Sequence, residues 1–228
     1  MILSIETSTA RCSASLSENG KTVLSRKTDE DRAHAAMLAK LIDDILKEQK
    51  ISSKELQAVA VSEGPGSYTG LRVGVSTAKG ICYGAGLPLL AVDTLAILAK
   101  EAMEKKACDE NTLIVPMIDA RRMEVYTARF DGTGKKLSDT EALVLDENSF
   151  SDVDSRYSRI IFIGDGAAKF REVYKKSNAV FIETEPDAAY MSELADSEFK
   201  ASRFQDIAYF EPRYLKEFVA GISKKKII

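Results

Sequence analysis

Apolar and polar positions alternate over two short stretches near the start of the chain, and these predict a β-hairpin. The stretches cover residues 12–17 and 21–27, and Asn19-Gly20 between them is a dipeptide typical of tight hairpin turns. An apolar segment at 2–6 precedes them as a further strand. The pattern then predicts, in order, a helix at about 32–50, a strand at 58–62, a helix from Thr69 to about Tyr83, a strand at 87–92 and a helix to about 105.

The same order of elements begins again after a charged stretch at 101–111. Gly164-Asp165-Gly166 lies 100 residues after Gly64-Pro65-Gly66, and each tripeptide falls between a predicted strand and a predicted helix. A loop around 149–156 takes the place of the first long helix. The second set comprises strands at 113–119, 124–130, 142–145, 160–164 and 180–182. It also contains a helix at about 167–176 and a helix that follows Pro186-Asp187 and runs to about 195.

Duplicated units with this order of strands and helices are typical of the actin-like fold, also called the ASKHA or ribonuclease-H-like fold. We therefore predict an α/β protein of two lobes in which the second lobe is reduced. The predicted N-terminal lobe covers residues 1–106, and we expect it to bind a partner protein. The predicted C-terminal lobe with its tail covers 107–228.

The segment from Gly64 to Gly80 is rich in small residues and admits two interpretations. It reads Gly-Pro-Gly-Ser-Tyr-Thr-Gly-Leu-Arg-Val-Gly-Val-Ser-Thr-Ala-Lys-Gly. Its first half could hold an anion on the amide groups at the start of a helix. In its second half, Gly70, Gly74 and Ala78 recur every fourth residue and so remove bulk from one helical face. We favour the second interpretation, in which this face allows another helix to approach closely.

The first long helix carries an apolar stripe that is wider than the cover of one sheet requires. We predict that part of this stripe joins the small-residue face of the next helix in a surface for a partner. Packing of the glycines inside this chain is the alternative that the sequence leaves open. The predicted partner interface comprises Leu38, Leu41, Ile42, Ile45, Gly70, Val73, Gly74, Thr77, Ala78 and Ile81.

A possible vestigial nucleotide site follows from the predicted fold, because ATP lies between the two lobes of actin-like proteins. Acidic residues close the first strand of each predicted unit, and polar residues or glycines stand nearby. They could hold phosphate groups and a hydrated Mg²⁺ ion, or they could simply end the strands. The candidate residues are Glu6, Thr7, Ser8, Asp119, Gly164 and Gly166.

Composition narrows the remaining function classes. The net charge of −3 argues against broad nucleic-acid binding, although another subunit of a complex could hold RNA. The three cysteines lie far apart and predict a reducing, cytoplasmic setting rather than a disulfide framework. No apolar stretch approaches the thickness of a bilayer, so we expect no membrane association. The single histidine, His34, cannot supply the pair that catalytic zinc and iron sites commonly use, and we predict neither a metal site nor catalytic residues.

Four blocks of this sequence resemble the TsaB family. They are Ile2 to Thr9, the glycine-rich segment from Gly64 to Gly80, Asp119 to Tyr126, and Glu211 to Leu215, so the resemblance extends over nearly the whole chain. It implies a catalytically silent relative of TsaD, the enzyme that makes threonylcarbamoyladenosine beside the anticodon of tRNA. The segment after Gly80 has no histidine where the enzyme has a metal-binding motif.

The same resemblance implies the partners of the protein. A TsaB-family protein is expected to bind and activate TsaD through its first two long helices, with TsaE joining the assembly, and to form a homodimer when alone. ATP and metal are then expected on the partner subunits, and tRNA is met indirectly through the complex. An autonomous ATP-binding enzyme of the actin-like class, such as a small kinase or ATPase, is the alternative.

Overall fold

The computed structural model describes residues 1–28, 34–153 and 155–216. The first half contains the strands β1 (Ile2–Glu6), β2 (Cys12–Glu18), β3 (Lys21–Thr28), β4 (Ala58–Gly64) and β5 (Leu89–Asp93) with the helices α1 (His34–Gln49), α2 (Tyr68–Ala85) and α3 (Thr94–Lys105). The second half contains β6 (Thr112–Asp119), β7 (Glu124–Thr127), β8 (Phe130–Asp131), β9 (Glu141–Val144), β10 (Arg159–Ile163) and β11 (Ala179–Ile182) with α4 (Ala167–Arg171) and α5 (Ser192–Lys200). Short 3-10 helices span Ser53–Glu55 and Ala188–Met191. The tail that we assigned to the C-terminal lobe lies, from residue 217 onward, outside the described residues.

Both halves build a sheet with the same strand order. In the first sheet the order is β3-β2-β1-β4-β5, with β1, β2 and β3 antiparallel and β4 and β5 parallel to β1. In the second sheet the order is β11-β10-β6-β7-β9, and β8 pairs with β6 in addition. Written from the other edge, the second sheet reads β9-β7-β6-β10-β11. Its strands then correspond one by one to β3-β2-β1-β4-β5 of the first sheet. The structure therefore confirms the duplicated actin-like α/β fold.

The helices of the second lobe are reduced, as predicted. α4 has five residues and ends at Arg171, several residues before the predicted end, because the chain turns at 172–178. The described residues at 149–156 form turns where the first lobe has the long helix α1. Three aromatic rings, Phe150, Phe162 and Phe170, pack edge to face within 5.0–5.6 Å and fill the core of this lobe instead.

Helices from each half of the chain pack against the sheet of the other half. α3 follows β5 in sequence, but its Leu95, Leu98 and Ala102 pack against Ile114 and Ile161 of the second sheet. The 3-10 helix Ala188–Met191 and α5 follow the second sheet and pack against the first, where they cover strand residues of β1, β4 and β5. The predicted boundary between residues 106 and 107 thus separates the two sheets but not their helices, and as a domain boundary it stays a prediction.

One face of the first sheet is covered by α1 and α2. The predicted interface residues Leu38, Leu41, Ile42 and Ile45 are at most 7% exposed and belong to this core. The prediction that they face a partner is wrong, because the apolar stripe of α1 is used by the sheet below it. The outward surface of α1 includes exposed Ala36, Ala39, Lys40, Asp43, Asp44 and Lys47. In the described part of the chain, no helix combines the length and apolar character needed to cross a membrane.

Candidate functional site

The glycine-rich segment forms the turn from β4 into α2 and lies directly on the end of β1. Ser67 is the N-cap of α2, because its Oγ accepts a hydrogen bond from the Gly70 amide at 3.2 Å. The Ser67 amide donates to the Ser8 carbonyl oxygen at 2.6 Å. A Cβ atom at Gly66 would lie 2.4 Å from that same oxygen. Only glycine lets the turn come so near to the β1–β2 connection.

The small-residue face of α2 packs against this chain and not against open solvent. A Cβ at Gly70 would lie 2.1 Å from the Thr7 carbonyl oxygen, and one at Gly74 would lie 2.3 Å from Thr7 Oγ1. Thr7 Oγ1 donates a hydrogen bond to the Gly70 carbonyl at 2.8 Å, which joins helix and strand end. Ala78 is fully buried. The prediction that Gly70, Gly74 and Ala78 form a partner surface is therefore wrong, and the internal packing left open by the sequence is what occurs.

A different side of α2 faces outward. A Cβ at Gly80 or Gly84 would meet no atom within 4 Å, and the Tyr83 side chain beside them is 85% exposed. A shallow groove of about 470 Å³ runs along the first half of the helix. Its lining residues are Tyr68, Thr69, Arg72, Val73, Ser76 and Thr77. We call the residues Thr69, Val73, Ser76, Thr77, Gly80 and Gly84 the outer α2 face.

Two of the predicted interface residues, Val73 and Thr77, belong to the outer α2 face. Both are half-buried, and Val73 also contacts the core below the helix. Ile81, a third predicted residue, is half-buried against the same core. The predicted interface did not include Gly80 and Gly84, although they continue from Ser76 the spacing of small residues at every fourth position. That spacing was the available signal.

The segment after α5 returns to the start of α2. The Arg213 guanidinium lies 3.0 Å from Asp93 and 3.3 Å from Glu63, and the Arg213 amide donates to the Glu63 carbonyl at 2.7 Å. The pKa of Glu63 is raised above its ordinary value, because the effect of burial exceeds the opposing effect of the nearby Arg213 charge. The next residue, Tyr214, packs on Tyr68 with ring centroids 4.8 Å apart. The sequence predicted no contact between Arg213 or Tyr214 and the start of α2.

Arg72 connects this segment to the groove. Its Nε donates to the Tyr214 hydroxyl at 3.2 Å, and its guanidinium lies 4.0 Å from the centre of the Tyr68 ring. Such cation–π contacts hold an arginine without neutralising it. The end of the groove at the start of α2 is therefore aromatic and positively charged.

In the first lobe, the residues predicted to contact a nucleotide are buried. Glu6, Thr7 and Ser8 are 0% exposed, because the turn before α2 covers them. The Ser8 amide donates to Glu6 Oε1 at 2.5 Å. The Ser8 and Ser62 hydroxyls lie near this carboxyl group, but Oε2 has no hydrogen bond of good geometry with a described residue. Burial raises the pKa of Glu6 to about 7.

In the second lobe, the predicted residues lie at the end of β6. Asp119 is exposed, and its Oδ1 accepts hydrogen bonds from the Arg121 amide at 2.5 Å and from Lys169 Nζ at 3.0 Å. Its own amide donates to Asp165 Oδ1 at 2.9 Å, and burial raises the pKa of Asp165 to about 6. Gly164 has a φ of +128°, and a Cβ at this residue would lie 2.1 Å from the Met117 carbonyl oxygen. A Cβ at Gly166 would lie 2.8 Å from Val125.

The two lobes are also bridged across the connection between β1 and β2. Thr9 Oγ1 donates to Glu185 Oε2 at 2.8 Å, and Arg11 Nη1 donates to the Glu185 carbonyl at the same distance. The structure thus brings Asp119, Gly164 and Gly166 together and places Glu6, Thr7 and Ser8 beneath the α2 turn. Nucleotide binding stays a prediction.

The described residues contain no group of three or more histidine, cysteine, aspartate or glutamate side chains that could hold a metal ion. His34 begins α1, but its side chain lies outside the described part of the structure.

Known proteins resemble this chain over almost its full length. A relative from Escherichia coli (strain K12), the tRNA threonylcarbamoyladenosine biosynthesis protein TsaB, is 31% identical over 225 residues, which cover 96% of each chain. The chain belongs to the TsaB family. The TsaB protein of Haemophilus influenzae is 28% identical over 229 residues, covering 96% of this TsaB-family chain and 94% of the relative. The family model of TsaD, described as tRNA N6-adenosine threonylcarbamoyltransferase, matches residues 22–224.

Solved structures agree with this family assignment. A crystal structure from Pseudomonas aeruginosa, described as an uncharacterized protein with similarity to peptidase YeaZ, superposes with a TM-score of 0.80 at 25% identity. The match covers 94% of the TsaB-family chain and 99% of the other chain. A second structure, YeaZ from the same organism, gives a TM-score of 0.78 with the same coverage. The chain therefore takes part in tRNA threonylcarbamoyladenosine biosynthesis, as its curated relatives do.

Proposed function

We propose that this TsaB-family protein is a non-catalytic subunit that binds and activates TsaD, together with TsaE, in the modification of the adenosine beside the tRNA anticodon. The observation that carries the proposal is the outer α2 face. It offers a helix surface without side chains at Gly80 and Gly84, beside a groove and the exposed Tyr83 ring. A helix of the partner can approach such a surface closely and bury the aromatic ring at its rim.

The chemistry of the described residues supports a partner role over an independent activity. The strand end that would meet a nucleotide in the first lobe is covered, and no described cluster of side chains fits a metal ion. ATP and metal are then supplied by the partner subunits. When no partner is present, the same outer α2 face serves a homodimer.

Substitution of Gly80 by leucine tests the surface. The side chain points into open space, so we expect Gly80→Leu to fold with unchanged or slightly higher stability. Its association with TsaD is expected to weaken roughly tenfold or more, because the added side chain keeps the partner helix at a distance. Titration calorimetry with purified TsaD measures the affinity.

Glu104→Leu is the matched control, because it also places a leucine on an exposed helix position, but on α3. It should bind TsaD as the parent does. Equal affinities for the parent and Gly80→Leu would remove the outer α2 face from the interface. A modification assay with this chain, TsaD and TsaE, in which each protein is left out in turn, tests the activating role. Product should form only when all three are present.

The alternative of an autonomous ATP-dependent enzyme makes a separate prediction. It requires saturable binding of Mg-ATP by the chain alone, lost in Asp119→Ala, because Asp119 is the exposed carboxylate among the predicted nucleotide-binding residues. We expect no such binding, since the opposite strand end is buried. Saturable heat in calorimetry that disappears in Asp119→Ala would favour this alternative.

A further inference from the structure

The turn between β6 and β7 holds two adjacent arginines in an unusual backbone conformation. Arg121 has φ of +72° and Arg122 has φ of +53°, so both lie in the left-handed region. Residues with a Cβ adopt this region at a cost, and glycine or asparagine is the usual choice in such a turn. Two neighbouring arginines at these positions indicate that their side chains are needed there.

The turn is held from both sides. The Asp119 carboxylate accepts from the Arg121 amide, and the Ala120 amide donates to the Glu124 carbonyl at 3.0 Å. From α4, Lys169 Nζ donates to Asp119 Oδ1 at 3.0 Å, to the Arg122 carbonyl at 2.9 Å and to the Glu124 carbonyl at 2.6 Å. Lys169 is therefore a positioning residue that fixes the turn with its ammonium group.

The acidic side chains at the two ends of the turn, Asp119 and Glu124, are already paired. Asp119 forms an ion pair with Lys169, and Glu124 forms one with Lys216. Arg121 and Arg122 are exposed, and neither guanidinium group makes a hydrogen bond or ion pair with a described residue. The tip of the turn thus presents two uncompensated positive charges, on a chain whose net charge is −3.

We propose that Arg121 and Arg122 form a contact site for the phosphate backbone of RNA, which rests on the proposed role of the chain in tRNA modification. Guanidinium groups bind phosphate oxygens through paired hydrogen bonds, and arginine is the preferred residue for such contacts. The adjacent side chains can engage neighbouring phosphates of one strand, whereas they read no base. Direct contact with RNA differs from the indirect contact that the family resemblance implies.

Replacing both arginines by glycine, as Arg121→Gly with Arg122→Gly, separates binding from folding. Because glycine favours a positive φ, the unfolding temperature of this double variant should equal or exceed that of the parent. The complex with TsaD should bind an unmodified tRNA transcript roughly tenfold more weakly at about 100 mM salt, since two phosphate contacts are lost. The slope of log affinity against log salt should fall by about 1.5.

A control variant, Lys21→Ala with Lys54→Ala, removes the same charge from exposed positions of the first lobe. It should leave tRNA affinity and the salt slope close to those of the parent. The doubly lysine-substituted variant, Arg121→Lys with Arg122→Lys, keeps the charge and should give an intermediate affinity, since lysine lacks the paired geometry. Anisotropy of labelled tRNA is measured with the complex and, at low salt, with the free chain.

The possible outcomes differ for this proposal and for the proposed function. If the parent forms no complex with TsaD, the proposed function fails, and the free-chain titration still decides the RNA contact. If tRNA affinity and salt slope are the same in the glycine variant and the control, the proposal is overturned. It is also overturned if the variant loses TsaD or TsaE while its affinity for tRNA is unchanged, because an acidic protein surface is then the ligand. Displacement by ATP as strong as by tRNA would assign the site to a free nucleotide.

Discussion

Substitution of Gly70 by alanine is expected to lower the free energy of unfolding by about 3 kcal/mol. A Cβ at this position would lie 2.1 Å from the carbonyl oxygen of Thr7, which belongs to the backbone at the end of β1 and cannot rotate away. Either the helix or the strand end must move, and the hydrogen bond from Thr7 Oγ1 to the Gly70 carbonyl is lost. Denaturant unfolding of the purified chain measures the change.

Gly80→Ala is the matched control on the same helix. Its added methyl group meets no atom within 4 Å, and alanine is a better helix former than glycine by about 0.5–1 kcal/mol. This variant should therefore be slightly more stable than the parent. If both substitutions changed stability equally, the close approach of α2 to β1 would not be as described. The pair also separates the inward glycines of α2 from the outward ones.

Replacing Glu6 by glutamine should stabilise the protein at high pH. Burial raises the pKa of this carboxyl from 4.5 to about 7, so the folded state holds its proton more tightly than the unfolded state. The stabilising effect of the protonated carboxyl is complete below pH 4.5 and is lost as the pH rises through 7. A shift of this size corresponds to roughly 3 kcal/mol, and the neutral glutamine avoids this loss.

The measurement is the free energy of unfolding of Glu6→Gln and its parent between pH 5 and pH 8. We expect Glu6→Gln to exceed the parent by about 2–4 kcal/mol at pH 8 and the two to converge toward pH 5. Glu18→Gln, an exposed substitution in the neighbouring strand, should stay within about 0.5 kcal/mol of the parent. A difference that does not change with pH would mean that Glu6 is not an ionising group of the folded protein.

The behaviour of Glu6 also bears on the interpretation of its position. An acidic residue at the end of the first strand suggested a vestigial site for a hydrated magnesium ion. A magnesium ligand has to be ionised and open to the ion, whereas Glu6 is covered by the turn that leads into α2. The glycines at 66 and 70 let this turn come close enough to cover it.

Local patterns were sufficient to predict most of the fold. The alternation at 12–17 and 21–27 and the Asn19-Gly20 turn correspond to the β2–β3 hairpin, and the repeated order of elements corresponds to two sheets with the same strand order. Helix ends were less well predicted in the second lobe. There α4 is short, and α5 extends to Lys200, beyond the predicted end. Packing against the first sheet supports this extension, and no local signal encodes it.

The sequence by itself determined the element order, the duplication and the family, because periodicity and motif identity are properties of neighbouring residues. It also determined that α2 must approach another backbone closely, since Gly70 and Gly74 share one helical face. Only the tertiary structure decided that this backbone is the chain's own β1, and that the open glycines are Gly80 and Gly84. A glycine on a helix face indicates that another group packs closely against that face. The identity of that group depends on contacts between residues more than sixty positions apart.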